Sequence, residues 1–289
     1  MELRIDNVTK VYGKKAAVVD FSTMMYSGVY GILGANGAGK TTLLRMIAEL
    51  LRPTSGRITF EGESIYTLGE TYRNLIGYLP QDFGFYPEFT AEDFLHYLAA
   101  AKGLSRTSAK DRTKELLELV NLNDYTKQKI KTFSGGMLKR LGIAQALLND
   151  PLILILDEPT AGLDPKERIR FRNLISKIST NKIVLLSTHI VSDVESIANE
   201  ILLIKDGHLI KQGNTEDVAS LAQGKVWTMR VQPSELGIFE EKYNLANVKV
   251  EDSDIELRVI SESSPAASAV STTPTLEDAY LYIFGGEME

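Results

Sequence analysis

The chain has 289 residues, 44% of them hydrophobic and 24% charged, with a formal net charge of -6. That balance belongs to an ordinary globular protein with room for one large domain and a small appendage. The absence of cysteine excludes disulfides, thiolate catalysis and Cys-ligated metal, and the mild acidity gives no electrostatic footprint for nucleic acid.

In chain order, Leu3 to Tyr12 alternates partially and reads as a strand, followed by a second β-rich piece, Ala16 to Met25. Val29 to Leu33 is a short apolar run that ends in a glycine-rich turn. A helix is then expected, with Leu43, Leu44, Met46, Ile47 and Leu50 at helical spacing. Phe83, Phe85, Tyr86 and Phe89 crowd a short loop, and Thr90 with Asp93 three residues later predicts a capping box. The region through Leu148 reads as mostly helical. Leu152–Leu156 and Ile183–Ser187 are unalternating apolar runs, the pattern of buried parallel strands. Asn199 to Gln212 reads as a hairpin turning at Asp206-Gly207. After about residue 223 the composition shifts. Val226–Val231 and Val248–Ile260 read as short strands, Ser261–Thr275 as a Ser/Ala/Thr/Pro-rich linker, and Leu276–Phe284 as a terminal helix.

No stretch reaches the ~18 consecutive apolar residues that would span a bilayer. The most apolar short run stops at Asp157 and Glu158, and the N-terminus lacks an apolar signal core. The expectation is a soluble chain that a partner would hold to any membrane.

Two motifs carry chemistry. Gly34-Ala-Asn36-Gly37-Ala38-Gly39-Lys40-Thr41 fits G-x-x-x-x-G-K-[ST], between an apolar strand and a helix that continues through Thr42. Backbone N–H groups must approach phosphate oxygens closely, so small residues are required, and the helix presents its positive N-terminus to the anion. Lys40 is expected to reach the β- and γ-phosphates of ATP, and Thr41 to offer a hydroxyl to Mg²⁺. The second motif, Leu152–Leu156 followed by Asp157 and Glu158, delivers carboxylates to the C-terminal end of a strand, where ligands bind in open α/β sheets. Asp157 would hold Mg²⁺ through water, and Glu158 would polarise the attacking water.

Between them, Phe133-Ser134-Gly135-Gly136-Met137 resembles the signature sequence of ABC ATPases, usually Leu-Ser-Gly-Gly-Gln. The resemblance covers roughly residues 1 to 222. It implies an α/β fold: a P-loop NTPase core with a mostly parallel sheet, an antiparallel β subdomain and a helical subdomain at about 82–150. Residues 223–289 would form a small C-terminal α+β appendage. It further implies two cassettes paired head to tail, Ser134, Gly135 and Gly136 of one capping the ATP held by the other.

Residue by residue, Tyr12 stands where an aromatic ring stacks on adenine and Gln81 where a glutamine senses Mg²⁺ and the membrane subunit. Asp164, in Ala161-Gly-Leu-Asp164, lies in the loop that crosses the dimer interface. His189 stands where a histidine contacts the γ-phosphate, whereas His96 and His208 read as structural. Met137 departs from the usual glutamine, and the expectation is reduced or retuned hydrolysis.

The implied function is an ATPase subunit, cytoplasmic and peripheral on the inner face of the membrane, driving a separate integral membrane permease. The terminal Leu276–Leu281 is similar to the tail of exporter-type ATPases and favours export. The alternative is an ABC ATPase acting on nucleic acid or ribosomes. Lys40 to Ser134 contains no sustained heptads and the chain has a single core, and both facts argue against it. A nucleotide kinase would have no reason to contain Ser134-Gly-Gly or His189.

Overall fold

A computed structural model describes residues 1–251 and 254–285, in two compact units, Met1–Ile210 and Lys211–Glu289. In the first unit the chain runs β1 (Leu3–Tyr12), β2 (Lys15–Met25), β3 (Gly28–Leu33), α1 (Lys40–Ile47), β4 (Ser55–Phe60) and β5 (Glu63–Ser64). Then follow α2 (Ile65–Leu68), α3 (Glu70–Asn74), β6 (Ile76–Leu79), α4 (Ala91–Ala101), α5 (Arg106–Leu119) and α6 (Gly135–Ala146). Next come β7 (Ile153–Asp157), α7 (Pro165–Ile178), β8 (Ile183–Thr188), α8 (Val191–Glu195), β9 (Glu200–Lys205) and β10 (His208–Gly213), the last of which begins in this unit and ends in the second.

A four-stranded antiparallel sheet, β2-β1-β4-β5, stands beside a six-stranded sheet ordered β10-β9-β3-β8-β7-β6. Strands β9, β3, β8, β7 and β6 are parallel neighbours. Every residue of β7 and β8 is buried. Strands covered on both faces have no use for a polar side, so their sequences do not alternate. One apolar core, containing Phe21, Ile32, Leu44, Tyr72, Ile155 and Leu185, joins the two sheets across α1. Helices α4, α5 and α6 form the helical part between β6 and β7.

Three sequence expectations shift. Leu50 is outside α1, because Glu49 takes a left-handed backbone (φ 58°) just past the last turn, and its side chain is 63% exposed. Strand β7 starts at Ile153, leaving Leu152 partly exposed. At α4, Thr90 caps Asp93 N–H at 3.1 Å as expected, but the Asp93 carboxylate takes the Thr90 hydroxyl (2.7 Å) instead of closing a capping box.

The second unit contains α9 (Thr215–Ala219), β11 (Val226–Val231), α10 (Leu236–Lys242), β12 (Asn244–Glu251), β13 (Asp254–Ile260), β14 (Val270–Ser271) and α11 (Leu276–Phe284). Its antiparallel sheet is ordered β12-β13-β11-β14 around Met229, Val231, Ile255, Leu257 and Val259. The stretch read as a linker supplies an edge strand: Val270 and Ser271 pair with Thr228 and Trp227. Leu221 and Ala222, placed by the sequence reading in the first domain, pack here against Val226, Ala279 and Tyr282.

A partly buried ion pair ties α11 to this sheet. Arg258 donates from Nε and Nη2 to Asp278 at 2.8 and 2.6 Å, and Thr275 N–H and hydroxyl donate to Asp278 Oδ2 at 2.6 and 2.8 Å. Burial pushes the Asp278 carboxyl up, but these donors outweigh it and hold the group below its usual range. A carboxylate with a depressed folded pKa stabilises the fold at neutral pH; that contribution fades as pH falls from about 4 through the lower folded value. Asp278→Asn is therefore expected to cost about 2–3 kcal/mol at pH 7, from lost hydrogen bonds to charged groups, and to flatten the acid limb of stability below pH 4. Chemical denaturation across pH 2–7 measures both. An unchanged acid limb would remove Asp278 as its origin.

Candidate nucleotide site

The loop between β3 and α1 is shaped by its glycines. Gly37 and Gly39 sit at φ 82° and 104°, a region closed to most side chains. A Cβ on Gly39 would come within 2.2 Å of the Ala17 carbonyl, and one on Gly34 within 2.4 Å of the Ile204 carbonyl. At Gly34 and Gly39 the loop is thus pressed onto its neighbours with no room for a side chain. Ala38 is buried; its N–H bonds the Ala35 carbonyl (3.2 Å) and its own carbonyl accepts Gly207 N–H (3.0 Å).

Tyr12, Lys15, Ala17, Asn36, Gly37, Gly39, Lys40, Thr41, Thr42, Gln81 and Glu158 line an open cavity of about 480 Å³. Tyr12, half exposed at the end of β1, forms one wall, and Lys10 Nζ lies 5.4 Å from its ring. The phosphate loop, the strand-end carboxylate and the aromatic therefore meet in one place.

Lys40 is only 6% exposed. Its Nζ donates to the Gly34 and Ala35 carbonyls at 2.8 and 3.1 Å and lies 3.5 Å from Glu158 Oε1. Burial pushes the Lys40 ammonium below its usual pKa against the opposing pull of Glu158. Asp157, 1% exposed, accepts from Thr41 Oγ1 at 3.1 Å and Ser187 Oγ at 2.6 Å. Its Oδ2 is buried with no hydrogen-bond partner among the described residues. An orphan carboxylate oxygen beside a threonine hydroxyl is a donor set of hard oxygens, the kind Mg²⁺ selects.

Glu158 has a left-handed backbone (φ 47°), costing of order 1 kcal/mol for a residue with a Cβ. Its N–H is held by Ser187, by the carbonyl (3.2 Å) and the hydroxyl (3.0 Å). The turn aims the carboxylate at Lys40 and at His189, whose Nδ1 lies 3.1 and 3.2 Å from its two oxygens. An ionised carboxylate only accepts, so Nδ1 carries the proton in this pair.

Residues 20–161 match the ABC transporter family. An uncharacterized ABC transporter ATP-binding protein of Bacillus subtilis (strain 168), YxlF, is 38% identical over 83% of this chain and 80% of its own length. The chain belongs to the ATP-binding subunits of ABC transporters. As such it binds and hydrolyses ATP as one part of an ATP-driven transporter. Nod factor export ATP-binding protein I of Cupriavidus metallidurans is 37% identical over 75% of this chain and 72% of its own. Among solved structures, an ATP-binding cassette captured as a dimer in a post-hydrolysis state with ADP and Pi superposes with a TM-score of 0.66. It is 27% identical and covers 73% of this chain and 98% of that one.

In this ABC subunit some expected residues stand away from the cavity. Ser134 caps α6, accepting Met137 N–H at 3.2 Å, and Gly135 lines an adjoining hollow with Asp82, Phe83, Lys139 and Gln81, the last of which also lines the nucleotide cavity. A Cβ on Gly136 would come within 2.8 Å of the Glu167 carboxylate. Asp164 caps α7, accepting Glu167 N–H at 2.9 Å. None of Ser134, Gly135, Gly136 and Asp164 lines the cavity that holds the phosphate loop.

Sequence reasoning missed two residues. Ser187 holds both Asp157 and the Glu158 N–H, and the two strands pair Asp157 with Ser187 directly. The signal was present: two apolar runs, each ending in polar residues, become a polar cluster once laid in register. Lys139, whose Nζ donates to the Gln81 carbonyl at 3.0 Å, has no comparable sequence signal.

Proposed function

We propose that this chain is the ATPase subunit of an exporter, working as a head-to-tail homodimer on the inner face of the membrane. The contact that carries the reading is Glu158 with His189 on one side and Lys40 on the other, at the edge of the phosphate-loop cavity. Tyr12 would stack on the adenine, the loop from Gly34 to Gly39 with Lys40 and Thr42 would bind the phosphates, and Glu158 would accept the proton of the attacking water. His189 would hold Glu158 in place and contact the γ-phosphate. Thr41, Asp157 and Gln81 fit Mg²⁺, which when bound supplies charge neutralisation at the phosphates.

Ser134, Gly135, Gly136 and Asp164, lying outside this cavity, would act on the nucleotide of the second copy. The related dimeric cassette supports the pairing of two copies, and the export named for the Nod factor relative supports export here. The aromatic loop also fits a permease contact. Tyr86 and Tyr97 are half exposed and pack edge to face with ring centroids 5.5 Å apart, an apolar patch a membrane subunit could cover.

His189→Ala in inside-out vesicles carrying the chain and its permease tests the reading. ATP affinity is expected to stay within about 2-fold of wild type, while turnover and cargo uptake fall together by about 10²-fold or more. Unchanged turnover would return His189 to a structural role. ATP hydrolysis without uptake by the wild-type vesicles would count against export.

A further inference from the structure

Thr160 is fully buried two residues beyond Glu158, and Asp193 is 1% exposed four residues beyond His189. The Thr160 hydroxyl donates to Asp193 Oδ2 at 2.5 Å. This short bond spans the loop after β7 and the helix after β8, and neither residue lines the nucleotide cavity.

Both ends of the bond are anchored. On the Thr160 side, Ala161 N–H bonds the Glu158 carbonyl (3.3 Å) and Leu163 N–H bonds the Thr160 carbonyl (3.1 Å), so Thr160 sits inside the turn that carries Glu158 towards Asp164. On the Asp193 side, its N–H bonds the Ile190 carbonyl (3.2 Å), and Arg172 on α7 donates to the Ser192 carbonyl (3.2 Å). Ile190 N–H is taken by the Thr188 hydroxyl (3.0 Å). His189 thus stands in a short arch pinned on both sides.

We propose that Thr160 and Asp193 form a positioning clamp that sets the Glu158–His189 contact and joins it to the loop ending at Asp164. The physical need is specific. Glu158 has a strained backbone and His189 a half-exposed side chain, so the 3.1 Å contact between them is not enforced by core packing. A hydrogen bond to a buried carboxylate is among the stronger ones available, and it fixes the separation of the two segments just downstream of the pair. The proposal rests on the assignment of Glu158 and His189 as the reacting pair.

The test compares Thr160→Val, Thr160→Ser, Asp193→Ala and the Thr160→Val/Asp193→Ala double variant in the full chain. Glu158→Gln and His189→Ala serve as controls. Steady-state hydrolysis, binding of a fluorescent ATP analogue and thermal unfolding are measured for each. The expected result is a fall in kcat of about 10- to 100-fold for Thr160→Val and Asp193→Ala, as for a small misplacement of reacting groups. Analogue affinity should stay within about 2-fold, Thr160→Ser should recover near wild-type kcat, and the double variant should be no worse than the poorer single one. If Thr160→Val is too unstable to assay, Asp193→Ala and Thr160→Ser decide the case by the same split between kcat and affinity. Wild-type kcat in Thr160→Val or Asp193→Ala overturns the clamp, and so does a loss of kcat matched by an equal loss of affinity or of folded protein. Wild-type hydrolysis by Glu158→Gln would instead overturn the catalytic assignment on which it rests.

Discussion

Glu158→Gln is expected to lower ATP hydrolysis by about 10²- to 10⁴-fold, the usual loss when a general base is removed, while nucleotide still binds. Gln has the shape of Glu, so it can occupy the same left-handed position and still accept from His189 Nδ1 through its amide oxygen. What disappears is the negative charge. In the wild type that charge is shared between His189 and Lys40, 3.5 Å away. The variant therefore releases Lys40 from its counter-ion, and ATP affinity should be equal to or higher than wild type. With hydrolysis blocked, ATP should persist between two copies and the isolated chain should shift from monomer to dimer. Size-exclusion chromatography with light scattering, in ATP and Mg²⁺, reads the shift. Wild-type turnover would show that Glu158 is not the base. Loss of turnover without dimer, at high protein concentration, would mean that the second cassette is a different chain or that the permease is needed to close the pair.

The parts of this site that were legible in the sequence are those specified by local chemistry. The phosphate loop declares itself because glycine suits the left-handed backbone at positions 37 and 39, and the carboxylate strand because five consecutive apolar residues, Leu152 to Leu156, are followed by two acids. Boundaries followed where pattern and burial agree, as in β1, β11 and α11. Most of the supporting shell was not legible. Ser187 is reached only by laying the two apolar runs in register, and Thr160 and Asp193 meet through a hydrogen bond between separate segments. Nothing in a serine, a threonine or an aspartate by itself says which distant backbone it will meet. The small strand β14 was hidden for a related reason: Val270 and Ser271 form a strand only because β11 offers them an edge.

Lys40→Ala is expected to weaken ATP binding by about 10²-fold, the equivalent of about 2.7 kcal/mol, as charge-assisted bonds to two phosphates are lost. The loop's motif alone suggests a residue that serves only the nucleotide, so that the substitution should leave the fold intact. The structure requires a correction. Lys40 is buried and also bonds the Gly34 and Ala35 carbonyls and faces Glu158. Removing it leaves a carboxylate that is 7% exposed with one cationic partner fewer, and an uncompensated buried charge is costly. The variant should therefore lose stability as well, by about 1–3 kcal/mol. The two losses separate in a double variant. Lys40→Ala/Glu158→Gln removes both charges, so it should regain part of the stability while ATP affinity stays low, because the phosphates still lack their cation. Lys40→Arg keeps the charge but replaces a compact ammonium with a planar fork, so it should restore stability less fully than the native lysine. Titration with a fluorescent ATP analogue and denaturant unfolding, run on the same preparations, give both quantities. Unchanged affinity in Lys40→Ala would sink the phosphate-loop assignment. Equal stability in Lys40→Ala and wild type would show that the Lys40–Glu158 pair contributes nothing to the fold and that the lysine serves the nucleotide alone.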